Sequence, residues 1–153
     1  MTWNSDFPRI TNICKIFGLI PYIDNNKNLF DLLFTTKNGL VKKTSLDEYV
    51  KTKKKTGIAA ITLREGDVLR NINLIKDEPI IIITKNGNVI KFNSSEISTS
   101  GRTTSGVKGI NLSDDDEVIA TLVIRDNTDN LAIFASNGLG KKVSLTEFPL
   151  QKR

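Results

Sequence analysis

The chain contains no histidine, a single cysteine, one tryptophan and one methionine in 153 residues. Without histidine it lacks the commonest general base and the commonest metal ligand. A lone Cys14 excludes an internal disulfide framework and any cysteine-based zinc site. The apolar runs, such as Ile80 to Ile83 and Leu131 to Ala135, are far too short to span a membrane as a helix. The first residues, MTWNSDFPRI, lack the basic-then-apolar layout of a secretion signal. These absences point to an intracellular, non-catalytic chain. With 39% apolar and 25% charged residues, the composition is that of a globular protein rather than a disordered one.

What is present is positive charge, and it is unevenly placed. The net charge is +5. Residues 37–55 hold seven lysines against Asp47 and Glu48, and so carry as much net charge as the whole chain. Residues 85–112 sum to +3 and residues 141–153 to +3, whereas residues 113–140 sum to −5. Charge therefore alternates by block. Equivalent blocks that faced one way in a fold would merge into a basic stripe, the footprint of a polyanion-binding surface.

The blocks follow an internal repeat. FTTKNGLVKKTSLDEY (34–49), ITKNGNVIKFNSSEI (83–97) and FASNGLGKKVSLTEF (134–148) share a plan: apolar run, Asn-Gly, a second run with lysine, then serine and glutamate. Asn38, Asn86 and Asn137 are separated by 48 and 51 residues, and a second motif, TGIAAITLREGDVL and SGVKGINLSDDDEVI, repeats with Gly57 and Gly106 at a separation of 49. Asn-Gly between apolar runs predicts a type I′ hairpin, since both turn residues need positive φ. Strands are expected at Asp31–Thr36, Pro79–Thr84 and Asn130–Ser136, then around Ile58–Leu63 or Val107–Leu112, and a closing strand at Val68–Ile75 or Val118–Ile124. Four strands in about 50 residues is the size of a propeller-type blade. The capping-box spacing of Ser45–Glu48 and Ser144–Glu147 is followed by no sustained helical period, so at most one helical turn is expected there.

The expected organisation is the end of a preceding blade in 1–27, blades in 28–76 and 77–125, and the start of a further blade in 126–153. An open array leaves apolar end faces exposed, so the chain reads as a shortened piece of a longer array. Trp3 lies outside the repeats and has no assigned role.

The hairpins, GIAAITLREGDVL and above all GRTTSGVKGINLSDDDEVI resemble the C-terminal domain of the DNA gyrase A subunit, whose close relative is the topoisomerase IV A subunit. The resemblance runs from about Arg9 to Arg153. The Gln-Arg-Arg-Gly-Gly-Lys-Gly type box of gyrase does not occur, so the two relatives stay open, and Gly101–Ile119 favours gyrase. The resemblance implies an all-β fold, a partial β-pinwheel of four-stranded antiparallel blades whose basic rim wraps duplex DNA. It implies as partners duplex DNA, the remainder of the topoisomerase A subunit, and the ATPase subunit, in a bacterial cytoplasm, with no membrane and no small-molecule substrate. No cofactor is expected in this chain; the ATP and Mg²⁺ of the parent enzyme belong elsewhere, as does its catalytic tyrosine.

Phosphate neutralisation calls for Lys and Arg at repeating intervals. The candidate DNA-binding residues are the hairpin lysines Lys42, Lys43, Lys91, Lys141 and Lys142, the loop cations Lys51, Lys53, Lys54, Lys55, Arg102 and Lys108, and the terminal Lys152 and Arg153. Adjacent lysines on a strand point to opposite faces, so only one of each pair can face a groove, while the other covers a sheet edge. Gly101, Gly106 and Gly109 could let main-chain N–H groups approach phosphate, but turn geometry is the plainer expectation. Tyr49, Phe92 and Phe148 are expected in the core rather than as stacking platforms. GRTTSGVK is not a phosphate loop, because Val107 stands where lysine is needed, and Asp114–Asp116 reads as an acidic turn rather than a metal cluster. Two other functions compete: a protein-interaction scaffold binding an acidic partner, and a small β enzyme, which would have to work without histidine.

Overall fold

The computed structural model describes residues 30–50, 58–126 and 130–153, with the side chain of Val50 left out. The expected preceding-blade segment 1–27, Cys14, Trp3 and the lysines at 51, 53, 54 and 55 lie outside the described residues. Among the described residues, nine strands form three antiparallel sheets. The first contains β1 (Asp31–Thr36), β2 (Leu40–Ser45), β3 (Leu69–Ile75) and β6 (Val107–Lys108) in the order β3-β1-β2-β6. The second contains β4 (Pro79–Thr84), β5 (Val89–Asn93) and β7 (Val118–Val123) in the order β5-β4-β7. The third pairs β8 (Asn130–Phe134) with β9 (Gly140–Ser144). A four-residue helix, α1 (Asp47–Val50), and 3₁₀ turns at Ser94–Glu96 and Leu145–Glu147 follow the hairpins. The hydroxyl of Ser144 accepts from the Thr146 amide, the short cap that its sequence position suggests.

The second sheet explains its own sequence. Side chains alternate across a strand, and Ile80 and Ile82 enter a core with Leu33, Val41, Ile75, Phe92, Ile97, Ile110 and Val118. Ile81 and Ile83 enter a separate core with Ile124 and Leu145, against which Leu131 and Phe148 pack. A strand sandwiched between two sheets has no solvent face, so its apolar run is continuous. The third sheet is covered on one side only, and Phe134 stands 80% exposed on the other.

Two expectations are corrected. The hairpins are not type I′. Gly39, Gly87 and Gly138 have φ of 81°, 84° and 84°, but the preceding asparagines do not have positive φ. The amides of Gly39 and Gly87 close back on the carbonyls of Thr36 and Thr84 at 3.1 Å, so a turn over Lys37-Asn38 or Lys85-Asn86 is followed by a left-handed glycine, the three-residue loop with a bulge. The second correction concerns strand membership. Residues 58–63 form no strand, and the outer strand of the first sheet, β6, comes from the following repeat, pairing Leu40 with Lys108 and Val41 with Val107. Sequence repeat and sheet are thus out of phase.

Candidate nucleic-acid interface

The hairpin lysines are distributed by strand register. Lys42 and Lys43 do point to opposite faces of β2, but both faces are interior: the second sheet packs on the face of Lys43, and Tyr49 with the segments at Ala60 and Arg102 covers that of Lys42. Lys42 is fully buried, lies across β1 from Phe34, and sits 5.4 Å from that ring's centre. Its ammonium donates to the carbonyl of Ala60 at 2.7 Å and to that of Arg102. Burial, and then the charge of Arg102, lowers its pKa to about 8. The Tyr49 hydroxyl donates to the same Ala60 carbonyl at 2.9 Å, and burial raises the phenol's pKa. Lys43 donates to the Ser94 carbonyl at 3.2 Å and Lys91 to the Leu145 carbonyl at 3.0 Å, each buried. Lys42, Lys43 and Lys91 therefore do not offer their ammonium groups at the surface; they are spent on main-chain carbonyls, because a buried cation needs acceptors. Lys141 and Lys142, on β9 of the half-covered third sheet, are exposed.

A different set of cations reaches solvent together. Lys108, Lys152 and Arg153 line one open groove of about 400 Å³ with Ile90, Gly109, Ile110, Asn111 and Gln151. Arg153 is anchored there: one guanidinium nitrogen donates to the Lys108 carbonyl at 2.8 Å, and its amide donates to a Glu96 carboxylate oxygen at 3.0 Å. Arg102 does the same one repeat earlier, donating to the Ala59 carbonyl at 2.9 Å. Arg102 and Arg153 are 51 residues apart, the spacing of Asn86 and Asn137. Composition identified both arginines as cations, but their common role was visible only through that shared spacing. At the position matching Lys42 the second repeat has Ile90, across β4 from Ile82 as Lys42 is across β1 from Phe34. The first repeat thus holds an internal ammonium where the second has Ile90, a lining residue of the groove that carries the exposed Lys108 and Lys152.

The acidic blocks and the glycines are structural. Asp67 accepts from the amides of Asn38 and Val68 at 3.0 and 2.8 Å. Asp116, 49 residues later, accepts from Asn86 and Glu117 at 3.0 and 2.9 Å. Each carboxylate pins the hairpin tip of its own repeat. Desolvation works to raise the Asp116 pKa, and the donors around it, from Thr84, Asn86, Asn88 and Glu117, outweigh this and hold it low. Glu117 bridges Lys37 at 3.0 Å and Arg70 at 2.7 Å, and the hydrogen bond from Lys37 chiefly lowers its pKa. Among the described residues no group of His, Cys, Asp and Glu could hold a metal ion. Gly106 has φ of 87°, and a Cβ there would overlap the Val41 carbonyl; one at Gly109 would come within 2.6 Å of a Val41 methyl. Gly101 faces open space. Close packing on β2 thus accounts for Gly106 and Gly109.

Antiparallel sheets that pack side by side, repeat at about 50 residues and exchange an outer strand define a β-propeller of the pinwheel kind. The family model described as "DNA gyrase C-terminal domain, beta-propeller" matches residues 31–76, 78–125 and 129–153, and the chain belongs to that family. It is 40% identical to the DNA gyrase A subunit of Kosmotoga olearia over 125 residues, and 38% identical to that of Helicobacter pylori strain J99 over 124. Each match covers 80% of this chain and 15% of the relative. Among solved structures it is similar to the C-terminal domain of DNA topoisomerase IV, with a TM-score of 0.81 at 31% identity, covering 86% of this chain and 41% of that one. A DNA gyrase A C-terminal domain superposes with a TM-score of 0.73 at 28% identity, covering 82% and 41%. The chain thus spans about a seventh of the gyrase A proteins it matches.

Proposed function

We propose that the chain is a non-catalytic module of a bacterial type II topoisomerase of the gyrase A kind, and that it binds and bends duplex DNA without base preference. The observation that carries this reading is the open groove in which Lys108, Lys152 and Arg153 converge. A duplex presents closely spaced phosphates along each strand, and each phosphate met by a cation releases condensed counterions. Lys108 and Lys152, on flexible stems in a groove whose described lining has no aromatic side chain, suit a backbone rather than bases. Lys141 and Lys142 are further exposed cations, and Lys51, Lys53, Lys54 and Lys55 remain candidates on sequence alone. The implied partners are the rest of the gyrase A polypeptide and the ATPase subunit in the cytoplasm, which would hold the ATP and Mg²⁺ sites; this chain takes no cofactor.

The test is fluorescence anisotropy of a generic duplex across a salt series with the double variant Lys108→Gln/Lys152→Gln. The log–log salt slope should shrink by about 1.8, from about 0.9 per lost phosphate contact, and by the same amount for unrelated sequences. An unchanged slope removes the groove from the interface. Absence of salt-dependent binding by the unaltered chain, with tight capture of an acidic protein instead, would favour the scaffold reading.

A further inference from the structure

Lys43 and Lys91 hold the same place in successive hairpins, paired across their sheets with Leu33 and Ile81. Each buries its ammonium against the carbonyl that opens the 3₁₀ turn of the following repeat, Ser94 at 3.2 Å and Leu145 at 3.0 Å. Each also accepts, through its own main-chain carbonyl, an amide from just beyond that turn. The Ser100 amide donates to the Lys43 carbonyl at 2.8 Å, and the Gln151 amide donates to the Lys91 carbonyl at 2.8 Å. Both contacts recur at matching positions, although the surrounding residues differ. Two contacts from one residue to one neighbouring turn restrict tilt as well as separation. Apolar packing between the same sheets, being non-directional, restricts tilt less.

We infer that Lys43 and Lys91 are positioning residues that set the angle between successive blades, and through it the path of the DNA-binding rim. This rests on the proposed DNA-bending function for its consequence, but the latch itself can be read without DNA. A buried ammonium with a carbonyl acceptor is directional, and removing it frees the turn while leaving the apolar core in place.

The experiment uses the full 153-residue chain and the variant Lys91→Met, which keeps length and apolar stem. Amide hydrogen exchange should speed up about tenfold at Gln151 and Phe148, with the amides of β1 and β3 unchanged, because one local hydrogen bond is lost. An equal rise at all amides would show a merely stabilising residue and overturn the inference, as would no change at the turn. Should Lys91→Met fail to fold, Lys91→Arg, which retains a donor, is read the same way: protection restored at Gln151 supports the latch, and local loss of protection despite the retained charge and donor overturns it. On a duplex labelled at both ends, Lys91→Met at saturation should give less end-to-end shortening with affinity within about twofold. Unaltered chain that binds without shortening the duplex would sink the bending function and leave the exchange result standing. Shortening that is fully kept in a variant with a freed turn would sink the link between latch and path.

Discussion

Alanine at Gly106 and alanine at Gly87 impose the same backbone strain in different surroundings. The two glycines have φ of 87° and 84°, and an L-residue held in that region costs about 1–2 kcal/mol. Around Gly87 nothing lies within 4 Å of an added Cβ, so Gly87→Ala should cost that strain alone. At Gly106 the methyl would overlap the Val41 carbonyl and approach the Lys42 Cβ at 3.0 Å. Val41 is fully buried and hydrogen-bonded into the ladder, so β2 cannot yield cheaply, and overpacking of this kind adds about 1–3 kcal/mol. In urea titrations Gly106→Ala should therefore lose about 2–5 kcal/mol against about 1–2 for Gly87→Ala. In melting experiments the gap should be several degrees, at about 2–4 °C per kcal/mol for a chain of this size. Equal losses would refute the packing account. A Gly106→Ala variant that melts normally but binds DNA poorly would restore the alternative in which this loop approaches phosphate.

Lys42 gives a stability–pH signature. With its folded pKa lowered to about 8, the unfolded chain holds the extra proton from about pH 8 to about 10, so stability should rise with pH there and be flat just below; Lys42→Met should abolish the slope in urea titrations at several pH values. Above about pH 10 the raised Tyr49 pKa reverses the sign, since the folded chain then keeps a proton that the unfolded one releases. Asp67→Ala should cost about 1–3 kcal/mol by stranding two amides, with the largest loss of exchange protection at Asn38 and Val68. Because the Glu117 pKa lies below its ordinary 4.5, its bridge contributes above that value and is lost as pH falls below it; Glu117→Gln should flatten that part of the acid-unfolding curve, and an unaltered curve would show that the bridge contributes nothing.

The repeat, the presence of the hairpins and all but a residue or two of β1, β3, β4, β7 and β8 were legible from apolar runs and Asn-Gly spacing. So was the family, from Gly101–Ile119. The fate of Lys42, Lys43 and Lys91 was not. Alternation along β2 is a local rule and correctly set the two lysines on opposite faces; that both faces are covered, one by the second sheet and the other by segments near Ala60 and Arg102, is a tertiary property. Only the isoleucine run of β4 carried a hint of such cover, since one-sided burial would have interrupted it with polar residues. The type I′ expectation failed because Asn-Gly also fits a loop in which glycine alone takes the left-handed conformation. The groove of Lys108, Lys152 and Arg153 joins segments more than 40 residues apart, a proximity that charge counting along the chain does not contain.

The loan of β6 to the first sheet gives the array an asymmetric tolerance to genetic change. Inserting a copy of a whole period after the first sheet keeps its ladder, because the copy supplies the same lending segment one unit downstream. Deleting the downstream unit strips the edge of the sheet before it, exposing amides and carbonyls such as those of Leu40 and Val41 to unintended partners. Such an architecture can grow by copying far more safely than it can be trimmed.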